Sequence, residues 1–213
     1  MGNSMVQTFN ESNFKLICDI LGDQDQDLKS ILDAHGYPPC WMRQPTFETL
    51  VHIILEQQVS LASAMAALKK LQAKTGKVTP QNLIALSDTE LKACYFSRQK
   101  IIYTKHLAHI LLSSQLNLEA LQEMDNDAVR LALKKVKGIG NWTVDVYLMM
   151  VLQRCDVFPM GDVALMTSVR ETKKLSRETS KDEIAAIASV WKPYQTIAAF
   201  ILWHAYLCKR KKS

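Results

Sequence analysis

Helix start and stop signals recur along this sequence more often than any other local pattern. Ser60 precedes an apolar stretch of helical period that stops at Gly76, and Pro80 stands where a first helical turn favours proline. Two capping boxes, each a serine with a glutamate three residues later, are also present: Ser87 with Glu90 and Ser180 with Glu183. No pair of alternating strands is evident. The pattern predicts about ten short helices joined by short loops, and hence an all-α protein.

The composition fits one compact globule or two small lobes with a sizeable core. Hydrophobic residues make up 48% of the 213 residues and charged residues 22%, which excludes a disordered chain. The five cysteines are widely spaced without a Cys-x-x-Cys pair, which argues against a disulfide framework, a zinc site or an iron–sulfur cluster. The longest apolar runs are much shorter than a membrane span. We therefore expect a soluble protein with reduced thiols.

The positive charge is concentrated after the N-terminal segment. Residues 1–33 contain six acidic residues and two lysines, so residues 34–213 carry a net charge of +9 although the whole chain carries +5. A basic surface of this kind suits a phosphate-rich partner, although solvated lysines are the alternative explanation of any single basic run.

The most distinctive turn is Lys-Lys-Val-Lys-Gly-Ile-Gly, residues 134–140. Lys134 and Lys135 end one predicted helix, and Asn141 can cap a second helix that begins at Trp142. Glycines permit positive φ angles and close approach of another backbone, while the amides at a helix start favour an anion. These features predict a helix-hairpin-helix that binds a DNA phosphate. An ordinary turn between helices, with the glycines as caps, remains the alternative at this point.

Asp162 stands between the apolar loop of residues 157–161 and an apolar helical stretch. Considered alone, it is a normal helix N-cap, because aspartate is favoured there. Asp145, three residues after Trp142, is the rival carboxylate in the same part of the sequence, and we expect it to form a structural ion pair or to occupy a surface position.

Four stretches, in this order, resemble the helix-hairpin-helix DNA glycosylase superfamily, and within it the 3-methyladenine DNA glycosylase II group. They are Ile53–Ser60, the hairpin with Trp142, Phe158–Leu165, and Trp191–Tyr194 continuing to Trp203. The resemblance covers about residues 45–207. It implies a two-lobed helical fold with a central cleft. One lobe would comprise residues 1–44 and 158–213, and the other residues 45–157, with the helix-hairpin-helix at about 121–153.

The resemblance also implies roles for individual residues. Asp162 is similar to the family's catalytic aspartate, and Gln57 and Gln58 lie on the loop that enters the gap left in DNA. The implied base pocket consists of aromatic residues: Trp142, Trp203, Tyr147 and Tyr194. Phosphate contacts are expected from the lysines and the turn itself: Lys134, Lys135, Lys137, Gly138, Ile139 and Gly140. Relatives hold a monovalent cation through hairpin carbonyls, here those of Val136 and Gly138.

The implied activity is that of a monofunctional DNA glycosylase in base excision repair. It would flip alkylated purines such as 3-methyladenine out of duplex DNA and hydrolyse the N-glycosidic bond. Relatives with lyase activity carry a lysine where this chain has Trp142, so no lyase activity is expected, and the relatives' cysteine cluster for iron and sulfur is missing. The expected partner is double-stranded DNA with damaged bases, bound by a monomer. The expected location is the cytoplasm beside the nucleoid, or the nucleus in a eukaryote.

Two alternatives remain open. One is a glycosylase for another lesion, such as a deaminated or oxidised purine, because a few pocket contacts set that choice. The other is a non-catalytic helix-hairpin-helix module that only binds DNA. Asp162 and Trp203 argue against such a module, which needs neither. The basic C-terminal run of residues 209–212 is interpreted as a solvated end that could also contact DNA.

Overall fold

The computed structural model describes residues 7–211, so the first six residues and the last lysine of the basic C-terminal run lie outside the described residues. Twelve α-helices and one 3₁₀ turn (Ala120–Glu123) lie in this range. The α-helices are α1 (Glu11–Gln24), α2 (Gln26–His35), α3 (Phe47–Glu56), α4 (Leu61–Thr75), α5 (Pro80–Ile84), α6 (Asp88–Ala93), α7 (Arg98–Leu112), α8 (Asn126–Lys134), α9 (Asn141–Met150), α10 (Val163–Thr172), α11 (Lys181–Ser189) and α12 (Gln195–Lys211).

Strand pairing within residues 7–211 is limited to an isolated bridge between Thr8 and Arg154. The prediction of an all-α protein is therefore confirmed. In the described part of the chain, every helix is too short or too polar to cross a membrane.

The predicted capping residues set several helix boundaries. The Ser60 hydroxyl accepts a hydrogen bond from the Ser63 amide at the start of α4, and Gly76 ends that helix with a φ of 70°. Both predicted capping boxes are formed, at the starts of α6 and α11. Local side-chain chemistry therefore fixes where these helices begin.

The chain forms two compact units. The first unit contains the residues up to Met42 and from Leu148 onward, and the second is Arg43–Tyr147. Each predicted lobe boundary lies further along the chain than the boundary between the units. The first is two residues later, after residue 44 and not after Met42, and the second is ten residues later, after residue 157 and not after Tyr147. The second boundary falls inside α9, between Tyr147 and Leu148.

The core of the first unit joins the two ends of the chain. Helix α12 packs against α1, α2 and α10. The rings of Phe9, Phe14 and Phe200 lie within 6.1 Å of one another, centroid to centroid. Lys173 donates to the carboxylates of Asp25 and Asp27, so an ion pair adds to the apolar contacts between distant segments.

The core of the second unit is organised around α7. This helix packs against α3, α5 and α6, and α3 also packs against α4. Leu50, Ile54 and Leu107 are completely buried within the protein. Helix α7 therefore supports α3, and hydrogen bonds connect it to the end of α3 and to the turn between α8 and α9.

Candidate active site and DNA-binding hairpin

The turn between α8 and α9 has a conformation that requires glycine at one position. Gly138 has a φ of 86°, and a Cβ atom placed on it would overlap ring atoms of Tyr103. A side chain there would be strained by the backbone and would also collide with the ring. Gly140 differs, because a Cβ atom on it would meet no atom within 4 Å.

Helix α9 begins one residue earlier than the sequence predicts. Asn141 is its first residue, and the carbonyl of Gly140 accepts the amide of Val144, so Gly140 occupies the N-cap position that we assigned to Asn141. Glycine has no side chain with which to cap the first turn. The helix start can therefore offer its amides to an external anion, as the prediction of phosphate binding requires.

The hairpin lysines are exposed, and two apolar residues anchor the turn. Lys134, Lys135 and Lys137 lie on the surface, whereas Val136 and Ile139 are buried. The amide of Lys137 donates to Nδ1 of His106 at 3.0 Å. Since His106 lies on α7, this bond ties the hairpin backbone to the central helix of the unit.

The two glutamines of the loop after α3 have different environments. Gln57 is half-buried, and its Nε2 donates to the carbonyl of Gly138 and to Oγ1 of Thr143, both at 2.9 Å. Gln58 is exposed and has a φ of 58°. The structure thus leaves Gln58 as the better candidate for insertion into DNA, because the Gln57 amide is already bonded to the hairpin.

The two carbonyls proposed for a monovalent cation both accept hydrogen bonds within the second unit. The carbonyl of Val136 accepts the amide of Ile139, and that of Gly138 accepts Gln57. Each carbonyl oxygen has a second lone pair with which it could meet a cation. Within residues 7–211, no three His, Cys, Asp or Glu side chains are grouped in a way that would hold a metal ion.

Asp145 forms the ion pair that was one of the two expectations for it, and it is buried and not at the surface. Its Oδ1 lies 2.6 Å from a guanidinium nitrogen of Arg130 on α8. Burial raises the pKa of the Asp145 carboxyl despite the opposing charge of Arg130. This carboxylate therefore holds α8 against α9.

Asp162 is at once a helix cap and a partner of an aromatic side chain. Its Oδ1 accepts the Leu165 amide at 2.7 Å, at the start of α10, and the indole Nε1 of Trp203 at 3.0 Å. The residue is half-buried. Two donors from different helices therefore fix the orientation of this carboxylate before any substrate binds.

An aromatic cluster surrounds the indole that bonds Asp162. Trp203 stacks on Phe200 with ring centroids 5.9 Å apart, and Trp41 meets both rings edge to face, at 5.3 Å from Phe200 and 6.4 Å from Trp203. Trp203 is 9% exposed, whereas Trp41 retains a partly exposed surface. The cluster can present an aromatic surface beside the carboxylate.

The other predicted pocket residues are less exposed or otherwise engaged. Tyr147 is fully buried, its hydroxyl has no hydrogen-bond partner among the described residues, and burial raises its pKa well above the ordinary value. It therefore has no exposed face for a base to stack on. The hydroxyl of Tyr194 accepts a bond from Gln7, and Trp142 is half-buried.

Sequence reasoning missed three residues that support the site: Trp41, Tyr103 and His106. Trp41 lies outside any helix, and its contact with Trp203 links residues far apart in the sequence. Tyr103 and His106 are three residues apart, so the sequence predicts that they lie on one face of a helix. It does not predict that this face contacts the hairpin. No local pattern identifies such partners.

Comparisons with known proteins identify the family of this chain. Residues 51–193, more than half of the chain, match the HhH-GPD superfamily base excision DNA repair protein family. The chain is 31% identical over 169 residues to a Bacillus subtilis DNA-3-methyladenine glycosylase, over 74% of this chain and 56% of that protein. It is 26% identical to Bacillus subtilis YfjP, over 84% of this chain and 65% of that protein. The chain thus spans less than two thirds of the length of these two relatives.

A solved structure of Schizosaccharomyces pombe 3-methyladenine DNA glycosylase in complex with abasic DNA superimposes with a TM-score of 0.80. The two chains are 26% identical, and the match covers 88% of this chain and 95% of that one. The resemblance inferred from the four sequence stretches is thereby confirmed at the level of the superfamily. This chain belongs to the HhH-GPD superfamily of base excision DNA repair proteins.

Proposed function

We propose that this protein is a monofunctional DNA glycosylase that removes alkylated purines such as 3-methyladenine from duplex DNA. The observation that carries the proposal is the Asp162 carboxylate, oriented by the Leu165 amide and the Trp203 indole within an aromatic cluster. A module that only binds DNA has no use for this arrangement. The names of the Bacillus subtilis and Schizosaccharomyces pombe relatives support the choice of substrate.

The reaction needs little beyond charge stabilisation and a water molecule. Alkylation at N3 or N7 makes the purine cationic, so the N-glycosidic bond breaks with its electron pair moving to the base, which leaves neutral. The deoxyribose becomes oxocarbenium-like, and the negative charge of Asp162 stabilises it. Water then adds its oxygen to C1′ and gives a proton to the carboxylate or to solvent. The products are the free base and an abasic site.

Aromatic side chains account for the preference for a cationic base. A cation over an indole face gains about 0.5 to 2 kcal/mol, according to how well water is excluded. Trp203 and Trp41 supply such aromatic surface beside Asp162, and Trp142 and Tyr194 remain further candidates for contact with the base. Tyr147 is not retained, since it is fully buried.

The second unit supplies the sequence-independent grip. The start of α9 and the turn of residues 138–140 would bind a phosphate. Long-range attraction would come from the exposed lysines of the hairpin, Lys134, Lys135 and Lys137. Gln58 would fill the gap left by the extruded nucleotide. Binding should then weaken steeply with salt. We expect the protein to act as a monomer. Its substrate places it with the chromosome, in a bacterial cytoplasm or in a nucleus.

Asp162→Asn tests the catalytic assignment. Asparagine keeps an oxygen that can accept from Leu165 and Trp203, so the cap and the fold should survive. Release of 3-methyladenine from alkylated duplex DNA should fall on the order of 10²- to 10³-fold, because the negative charge is lost. Asp125→Asn is the matched control, since Asp125 caps α8 in the same way through the Ala128 amide. Equal activity of the Asp162 variant and the control would refute the proposal.

A panel of duplexes, each with one defined lesion, tests the substrate class. Alkylated purines should be released fastest, whereas faster release of a deaminated or oxidised purine would assign the enzyme to that lesion. Borohydride added to the same reactions should trap no covalent adduct, because Trp142 stands where lyase relatives carry lysine. A trapped adduct would overturn the monofunctional assignment.

A further inference from the structure

Gln57 and Gln58 are neighbours in the sequence but are built for different tasks. Gln57 ends α3, and both protons of its side-chain amide can be used in its bonds to the Gly138 carbonyl and the Thr143 hydroxyl. Gln58 is exposed, adopts a left-handed backbone conformation, and its side chain makes no hydrogen bond to any other described residue. Insertion of Gln57 into DNA would break two bonds, whereas insertion of Gln58 would break none.

The two partners of Gln57 lie on either side of the helix start that would bind phosphate. Gly138 is the residue of positive φ in the turn, and Thr143 is in the first turn of α9. One side-chain amide therefore bridges both parts of the hairpin. It also connects them to the residue next to Gln58, across more than 80 positions of sequence.

One face of α7 holds the same two segments from a second side. Lys100 Nζ donates to the carbonyl of Leu55 at 2.7 Å, the Tyr103 ring lies against Gly138, and His106 accepts the Lys137 amide. The three-residue spacing of Lys100, Tyr103 and His106 puts them on one helix face. The end of α3 and the hairpin are thus attached to a common support as well as to each other.

We propose that Gln57 is a positioning residue that couples the Gln58 loop to the hairpin, so that insertion into the DNA gap and binding of the phosphate occur at a fixed spacing. The inference rests on the proposed function, because it concerns how the same DNA is held. It differs from the prediction that Gln57 itself fills the gap. Loss of the Gln57 bonds should leave both contacts available but make them energetically independent.

A double-mutant cycle on a duplex with a stable abasic-site analogue measures this coupling without any bond cleavage. Gln58→Ala removes the inserted group, and Gly140→Ala adds a methyl group at the open face of the hairpin, where no protein atom lies within 4 Å. In the otherwise unchanged protein, the combined loss of affinity should differ from the product of the single losses by about fivefold or more. In a Gln57→Met background, the two losses should multiply to within about twofold.

Thr143→Val provides a second route to the same result. It removes one acceptor of the Gln57 amide while keeping the side-chain volume, so it too should reduce the coupling, and it carries the test if Gln57→Met fails to fold. Thermal unfolding of each variant checks the fold. Coupling that persists undiminished in these backgrounds, or that is missing from the unchanged protein, would overturn the inference.

The readout separates this inference from the proposed function. The cycle reports binding alone, so failure of the unchanged protein to release any base would remove the proposed function and leave the coupling result standing. Persistent coupling without the Gln57 bonds would remove the inference and leave base release unaffected.

Discussion

The hairpin of the second unit and the Asp162 region of the first unit present their proposed functional groups in different ways. The hairpin offers backbone amides, and its neighbours Tyr103, His106 and Gln57 only hold that backbone in place. The Asp162 region offers side chains, a carboxylate and an indole, while its backbone is an ordinary helix start.

The difference determines which changes each region tolerates. A site made of backbone amides depends on φ angles and on the space around one residue. An added methyl group should therefore reduce its stability and binding more than a change of a functional group does. A side-chain site depends on charge and on donors, so a change of one functional group at constant volume should damage it most. Single substitutions in each region can break this contrast, and the largest effect on the free energy of unfolding is expected in the hairpin.

Gly138→Ala should be the most destructive small change in the hairpin. The new methyl group would sit in the Tyr103 ring at a φ that alanine disfavours, so we expect a loss of roughly 3 kcal/mol in the free energy of unfolding. DNA affinity should fall with it. Denaturant unfolding and a duplex-binding titration measure the two effects.

Gly140→Ala is the matched control, because the same methyl group enters open space there. Its free energy of unfolding should change by less than about 1 kcal/mol. Its DNA affinity should still drop, since the methyl group would lie on the side of the turn where the proposed phosphate contact is made. Equal destabilisation by the two alanines would contradict the view that contact with Tyr103 excludes a side chain at Gly138.

Lys173→Met tests an ion pair of the first unit to which no role in catalysis or DNA binding is assigned. Burial alone would raise the pKa of Asp25, but hydrogen bonds from Lys173 and Trp191 outweigh burial and lower it. The pair therefore contributes its full stability above the unfolded-state pKa, near 4, and loses it as the pH falls through the lower folded-state pKa. The variant should lose roughly 2 kcal/mol at pH 7.

The pH dependence makes that prediction specific. Urea unfolding of both proteins at pH 7 and in acid should show the difference between them shrinking below about pH 4, as Asp25 becomes protonated. A difference that is the same at both pH values would mean that packing, not charge, accounts for the loss.

Local chemistry made much of the fold and half of the candidate site readable from the sequence. Ser60 and Gly76 bound a helix as predicted, because a cap acts on residues within one turn of itself. The turn at Gly138 is predictable for the same reason. Helix α9 starts one residue before the predicted position, since a glycine carbonyl can open a helix without a side-chain cap.

The rest depends on contacts that sequence spacing does not encode. Trp41 meets Trp203 across the chain ends, and Gln57 reaches Gly138 through the tertiary fold. Each residue looks ordinary in its own segment. A glutamine on a loop is normally a surface residue, so only the coordinates reveal that the first of two adjacent glutamines is hydrogen-bonded to the hairpin.

Trp203→Phe should damage chemistry more than stability. Phenylalanine can keep the stacking on Phe200 but cannot donate to Asp162 Oδ1. We expect base release to slow about tenfold, equivalent to roughly 1.4 kcal/mol. Trp41→Phe is the control, because it keeps an aromatic ring in the cluster and leaves the Asp162 bond intact. Single-turnover rates on one alkylated duplex compare them, and equal slowing would show that ring area, not the donor, matters.

His106→Ala should give the smallest effect. It tests whether a side-chain hydrogen bond, in addition to the limited space at Gly138, holds the hairpin backbone. The Lys137 amide would lose its acceptor and turn to water, which costs about 0.5 to 1.5 kcal/mol and should weaken duplex binding by a few fold. Asparagine places an oxygen near the former Nδ1, so His106→Asn should restore most of the affinity. His109→Ala, at an exposed position one turn along α7, should change nothing. If asparagine fails to restore the affinity, the ring of His106 supports the turn by its volume. Packing, at both Gly138 and His106, would then determine the hairpin conformation.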